Sequence, residues 1–222
     1  LRTPLNAIIG MVERAEESPA LTDEVASCLS GIKTASNHLN ALINDVLDMS
    51  RIESNKVEIS HEELDLDGLS EECCAILSGQ LQNRRIDFRC EKSALVHRKV
   101  LGDNLHLRQV LINLLGNAVK FTPDGGSVLY EVREEPVSET EAIYVFSVSD
   151  TGIGMSEEFI RRIFDPFSQE NTGVRTRYIG SGLGLTISAE LVRLMGGQIT
   201  VKSRKGEGSE FRVTLTMPFA PD

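Results

Sequence analysis

Eight small or apolar residues, Val25, Cys28, Ile32, Ala35, Leu39, Leu42, Val46 and Met49, recur at alternating intervals of three and four. No other feature limits the fold as strongly. A repeat averaging 3.5 residues over four heptads demands a long helix with one narrow apolar seam, as in a coiled coil. Thr22 can cap that helix, and Asp23 and Glu24 fall in its first turn, where the helix dipole favours anions. Upstream, Leu1, Leu5, Ile8, Val12 and Ala15 keep the same rhythm, so two helices joined across "ESPA" form a hairpin. One hairpin is too thin to bury both stripes. A second copy is expected to complete a four-helix bundle through residues 1–58; the other reading is a monomeric hairpin packed on the rest of the chain.

Beyond "SRIESNKVEIS" the period changes, and a flexible joint is expected near residues 54–62. From 62 to 222, strands and helices mix. Residues 69–83 read as helix, as do 104–121. Val128, Tyr130 and Val132 alternate after the turn "PDGG"; "AIYVFSVSD" is a buried strand ending at Asp150. Leu183, Ile187, Leu191 and Leu194 mark a helix stopped by Gly196-Gly197, and "QITV" and "EFRVTLTM" form a hairpin around "KGEG". The fold class is α+β: a helical hairpin followed by a two-layer α/β sandwich.

The helix at 104–121 carries a second, polar stripe. Asn113, Asn117 and Lys120 share one face, beside the apolar stripe of Leu107, Leu111, Leu114, Leu115 and Ala118. An unpaired buried amide costs about 1–3 kcal/mol, so the stripe must meet water or a ligand. Three glycine-rich segments follow. Asp150-Thr-Gly152-Ile-Gly154 leaves a strand, Gly180-Ser-Gly182-Leu183-Gly184 opens a helix, and Gly206-Glu-Gly208-Ser209 sits in a hairpin. Free amides at a helix start make a phosphate seat, but no "GKS" or "GKT" marks a P-loop. Each segment alone is explained by a turn. A formal net charge of -10 removes the case for nucleic acid and means a polyphosphate would need local donors or a metal. Cys28, Cys73, Cys74 and Cys90 lack metal-ligand spacing and read as small buried hydrophobes in a reducing compartment. No apolar run reaches the ~18 residues of a membrane span or forms a signal peptide.

Taken in order, the polar-striped helix and the three glycine motifs behind a heptad hairpin resemble the sensor histidine kinases of two-component signalling, with their GHKL-type ATP-binding domain. The resemblance spans nearly the whole chain. It implies a dimerisation and phosphoacceptor unit at 1–58, an ATP-binding catalytic unit at 62–222, and a cytoplasmic kinase core. It implies ATP and Mg2+ as cofactors, with Asn117 as the metal ligand. Asn113 matches the position where related ATPases carry a Glu base. Lys120 is expected to meet phosphate and Phe121 to border the adenine. Asp150 matches the carboxylate that reads the adenine amine, with Ser209 assisting and Gly152 and Gly154 shaping the wall. Gly180, Gly182, Leu183 and Gly184 match the phosphate-binding motif.

The stretch 163–178 resembles a mobile ATP lid with Phe164 and Phe167 as aromatic anchors. Gln169 stands where many relatives have Arg, so Arg175 or Arg177 is a candidate cation. "LRTPLNAIIGM" matches the tail of the phosphoacceptor motif, which places the reactive His two positions before Leu1. Thr3 matches a residue that assists dephosphorylation of the partner. None of His38, His61, His97 or His106 fits the acceptor position. The implied activity is ATP-dependent autophosphorylation on histidine, then transfer to an aspartate of a response-regulator receiver domain, which hybrid kinases carry on the same full-length chain. A GHKL ATPase or a nucleotide-binding scaffold without kinase activity is the alternative.

Overall fold

The computed structural model describes residues 2–16, 22–82, 84–170 and 181–221. The chain divides into two compact units, Leu1–Lys56 and Val57–Asp222.

The first unit holds α1 (Arg2–Glu16) and α2 (Asp23–Glu53). The Thr22 hydroxyl caps α2, accepting from the Val25 amide. Leu5 and Val12 of α1 and Ser36 of α2 are buried, and Lys33 reaches Glu13 at 3.8 Å. Much of the heptad seam stays open, although Leu42 and Met49 are partly buried. Val25, Ile32, Leu39 and Val46 stay 48%, 46%, 49% and 52% exposed. Fully burying one such side chain is worth about 1.5–3 kcal/mol, so the seam is a large unused reserve of apolar area.

The second unit runs β1 (Glu62–Asp65), α3 (Leu66–Leu81), β2 (Asp87–Ala94), β3 (Lys99–Gly102), α4 (Asn104–Phe121), β4 (Ser127–Pro136), β5 (Glu141–Asp150), α5 (Glu157–Ile160), α6 (Gly184–Leu194), β6 (Gln198–Arg204) and β7 (Gly208–Pro218). Five strands form one mixed sheet in the order β2-β4-β5-β7-β6, with β2 parallel to β4 and the other pairs antiparallel. Alternation buries one face. Val128, Tyr130 and Val132, then Tyr144, Phe146 and Val148, then Phe211, Val213, Leu215 and Met217 form the sheet's half of the core. Leu107, Val110, Leu111, Leu114 and Leu115 of α4 and Ile187 and Leu191 of α6 supply the helical half. The other face carries the ion pairs Arg133–Glu131 and Arg212–Glu210 and is solvated. This is a two-layer sandwich with α4 in contact with both α3 and α6.

The short pair β1–β3 and the edge strand β2 are not foreseen by the periodicity of the chain. The reason is local: in "DFRCEKSA" only Phe88, Cys90 and Ala94 are apolar, so an edge strand looks like a polar loop. The cysteine expectation needs correction. Only Cys73 is buried; Cys28 and Cys90 are exposed and Cys74 is half-buried.

Asp103 fixes the start of α4. Its carboxylate accepts from the His106 amide at 2.9 Å, the His106 ring Nδ1 at 2.7 Å and the Ser60 amide at 2.9 Å. Burial alone would raise this carboxyl, but those three donors outweigh it and hold it below the usual range. Asp103→Ala is expected to destabilise the unit by about 2 kcal/mol, read by urea titration. Because the folded pKa is depressed, the wild-type contribution is complete above the unfolded value of about 3.9. It disappears as pH falls through the lower folded value, so the two proteins should converge in acid.

Candidate functional site

The polar stripe of α4 is half-exposed, and its amides form a relay. Asn117 Nδ2 donates to Asn113 Oδ1 at 3.4 Å, and Asn113 Nδ2 donates to Ser188 Oγ of α6 at 2.8 Å. Each amide commits its N–H end to the protein, which directs the Asn117 carbonyl oxygen away from the relay. Ser188 lies one turn after Gly184, so both face Asn113. A Cβ at Gly184 would stand 2.7 Å from Asn113 Oδ1, so the Asn113 amide would have to swing aside to admit it. Glycine here lets the first turn of α6 press on the amide stripe without displacing the Asn113 amide.

That first turn is chemically distinctive. Side chains cap the starts of α2, α3, α4 and α5: Thr22, Asp65, Asp103 and Ser156. Among the described residues, α6 starts at Leu183 with no side-chain cap. Its leading amides therefore suit an anion.

At the other end of α4, Lys120 Nζ sits 5.1 Å from the Phe121 ring centroid, and burial pushes its ammonium pKa down. The Phe121 carbonyl accepts from the Ile153 amide at 3.3 Å, tying the helix to the turn after β5. Asp150 ends that strand. Gly152 N–H donates to Asp150 Oδ1 at 2.7 Å. Burial raises the Asp150 carboxyl, and the Gly152 and Ser209 amides offset this only in part. Asp150 pairs directly with Ser209 across β5 and β7. The β6–β7 turn docks on the glycine turn, with Gly206 N–H donating to the Ile153 carbonyl at 2.7 Å.

A model of the histidine kinase-, DNA gyrase B- and HSP90-like ATPases matches residues 102–219, and one of the His Kinase A (phospho-acceptor) domain matches residues 1–55. The chain belongs to the sensor histidine kinase family. Among this family, the sensory/regulatory protein RpfC of Xanthomonas campestris pv. campestris is 38% identical over 97% of the chain. The sensor protein GacS of Pseudomonas syringae pv. syringae is 37% identical over 99%. The chain spans only 30% and 24% of those two proteins. A solved structure of full-length ShkA in complex with AMPPNP superposes with a TM-score of 0.80 at 33% identity, covering all of this chain and 44% of that one. An ATP-binding module of this ATPase class therefore occupies the second unit.

Within this family member the structure gathers Asn113, Asn117, Lys120, Phe121, Asp150, Gly152, Gly154, Leu183, Gly184 and Ser209 along α4, the turn after β5, the start of α6 and the start of β7. Gly182 lies against the Phe167 backbone. The stretch behind the expected aromatic anchors is different in kind. Among its described residues Ile163 is buried, Phe164 is half-buried, and Phe167 is 67% exposed with φ of 60°. A bulky residue in the left-handed region is strained. Gly180, Arg175 and Arg177 lie outside the described residues, and nothing is described of the Thr3 side chain. Ser188 and Ser203 touch candidate residues, Asn113 and Ser209, although no motif marks them. Spacing points to Ser188, one turn from Gly184 on a helix starting at a glycine motif; Ser203 offers no such signal. No helix of the described residues is long and apolar enough to cross a membrane.

Proposed function

We propose that the chain is the core of an ATP-dependent protein-histidine kinase that phosphorylates an imidazole two positions before Leu1 and passes the phosphoryl group to a receiver-domain aspartate. One observation carries this reading: the uncapped start of α6 is pressed by Gly184 onto the Asn113–Asn117 relay. Helix amides and oriented amide oxygens on one surface are what a metal-bound polyphosphate needs.

The donor set fits Mg2+. Its preferred ligands are oxygens, with waters and substrate phosphates completing the shell, and a single protein amide is enough. Among the described residues no cluster of His, Cys, Asp and Glu offers a closed cage, so an ion here would arrive with the nucleotide. Bound, it would neutralise phosphate charge. Asn117 would hold it through Oδ1. The α6 amides hold the phosphate oxygens, Lys120 adds charge, and Asp150 accepts from the adenine amine beside Phe121 and Ser209. Asn113 can orient but cannot take a proton, so water is not activated and transfer to imidazole is favoured. The exposed α2 seam supports pairing of two copies through residues 1–58, with ATP drawn from the cytoplasm.

The test uses a chain extended upstream to include the acceptor. With Mg2+ and γ-labelled ATP it should acquire acid-labile, alkali-stable phosphate. Asn117→Ala should slow labelling by about 100-fold or more, the scale of losing one oriented charge-stabilising group. Nucleotide binding without any such label would leave a scaffold, not a kinase.

A further inference from the structure

Three residues lie in one row across three strands. Asp150 of β5 pairs with Ser209 of β7, and Ser209 pairs with Ser203 of β6. Directly opposed residues share a sheet face. The hydrogen bonds at Ser203 form a closed set. Ser203 Oγ donates to the Gly208 carbonyl at 2.7 Å, which uses its one proton. It accepts from the Met155 amide at 2.9 Å, which uses one lone pair. The remaining contact, Ser203 Oγ to Ser209 Oγ at 3.0 Å, must then be a bond that Ser209 donates.

The consequence falls on Ser209. Its proton is committed to Ser203, so only lone pairs are left to face the base. Its amide faces the Asp150 carboxylate and partly offsets the burial that raises that carboxyl. We infer that Ser203 is a positioning residue that locks Ser209 as an acceptor, so that Ser209 and the Asp150 carboxylate together present an acceptor-only edge that selects a purine bearing an amine at position 6 over one bearing a carbonyl. The inference rests on the reading of Asp150 as the adenine-facing group. A free serine hydroxyl would rotate and donate to a carbonyl as readily as it accepts from an amine. The Met155 amide makes Ser203 a join between the glycine turn and the β6–β7 hairpin, so the lock depends on the closed turn.

The experiment compares ATP with ITP, which differ at position 6 as amine against carbonyl, by calorimetric Kd for the whole chain. The parent should prefer ATP, and Asp150→Asn should abolish that preference. Failure of either result removes the base-reading assignment. Ser203→Ala should narrow the ATP-to-ITP ratio by about fivefold or more, chiefly by tighter ITP binding, since a typical hydrogen bond is worth roughly that factor. Ser203→Thr, which keeps the hydroxyl, should restore the parent ratio. If Asp150→Asn behaves as stated while Ser203→Ala weakens both nucleotides equally, Ser203 is only a brace for the turn and the inference is wrong. An unchanged ratio in Ser203→Ala is equally fatal.

Discussion

Asp150→Asn should bind ATP at least about 100-fold more weakly than the parent while melting no lower at neutral pH. The first half follows from hydrogen-bond polarity. The Gly152 amide donates to Asp150 Oδ1 at 2.7 Å. An asparagine must place its carbonyl oxygen there, which turns its NH2 toward the ligand. Donor then faces donor where the adenine amine should be received. Turning a buried polar attraction into a repulsion costs about 3 kcal/mol, or a factor of about 100. The second half follows from burial. The Asp150 carboxyl is raised by desolvation, so folding holds its proton more tightly than the unfolded chain does. Ionisation therefore opposes folding. That penalty is full above the folded pKa and fades as pH falls through it toward the unfolded value near 3.9. Asparagine removes the penalty at pH 7. Calorimetric titration and a thermal melt on the same sample decide the matter. Loss of affinity together with a lower Tm would mean that Asp150 is a structural residue.

Gly208→Ala should be among the most damaging single-methyl changes in the second unit, together with Gly154→Ala, whose Cβ would overlap the Arg204 carbonyl oxygen. Gly208 has φ of 95°, which costs an alanine about 1–3 kcal/mol. A Cβ there would also overlap the Asp150 carbonyl oxygen across the β5–β7 pair. The strands would have to part at the point where Ser209 meets Asp150. A loss of about 3 kcal/mol or more is expected, with ATP affinity falling alongside. Gly206→Ala is the internal comparison. Gly206 also has a positive φ, of 83°, but a Cβ there meets nothing within 4 Å. It should lose only the backbone term. Equal loss from the two variants would show that the close approach at Gly208 is unimportant.

That pair of glycines also shows how far the sequence can be read. "KGEG" signals a hairpin turn, and a turn accounts for Gly206. Nothing in the string says that Gly208 is pressed against the far end of β5, distant along the chain. Long, strongly periodic elements are legible: the heptad helix, α4, α6 and the alternating strands β4 and β7 all follow from spacing. The polar stripe of α4 is legible too, because amides at i and i+4 stand out beside a leucine stripe. Its local satisfaction is not, since Ser188 comes from another helix. β1 and β3 are four residues each and carry no period long enough to detect. Phe164 and Phe167 are paired as anchors from sequence position, yet Phe167 is 67% exposed and has a left-handed backbone. Side-chain direction of that kind is set by tertiary contacts.

The open seam of α2 has an arithmetic consequence. In the proposed two-fold pair every seam position is present twice, so a single codon change at Leu39 or Val46 perturbs two sites of one interface. Energies that are modest per chain are doubled per assembly, and the hairpin's persistence scales with how many copies the cell maintains. Under that proposal gene dosage enters the thermodynamics of this half of the molecule, whereas the core of the sandwich is closed within one chain.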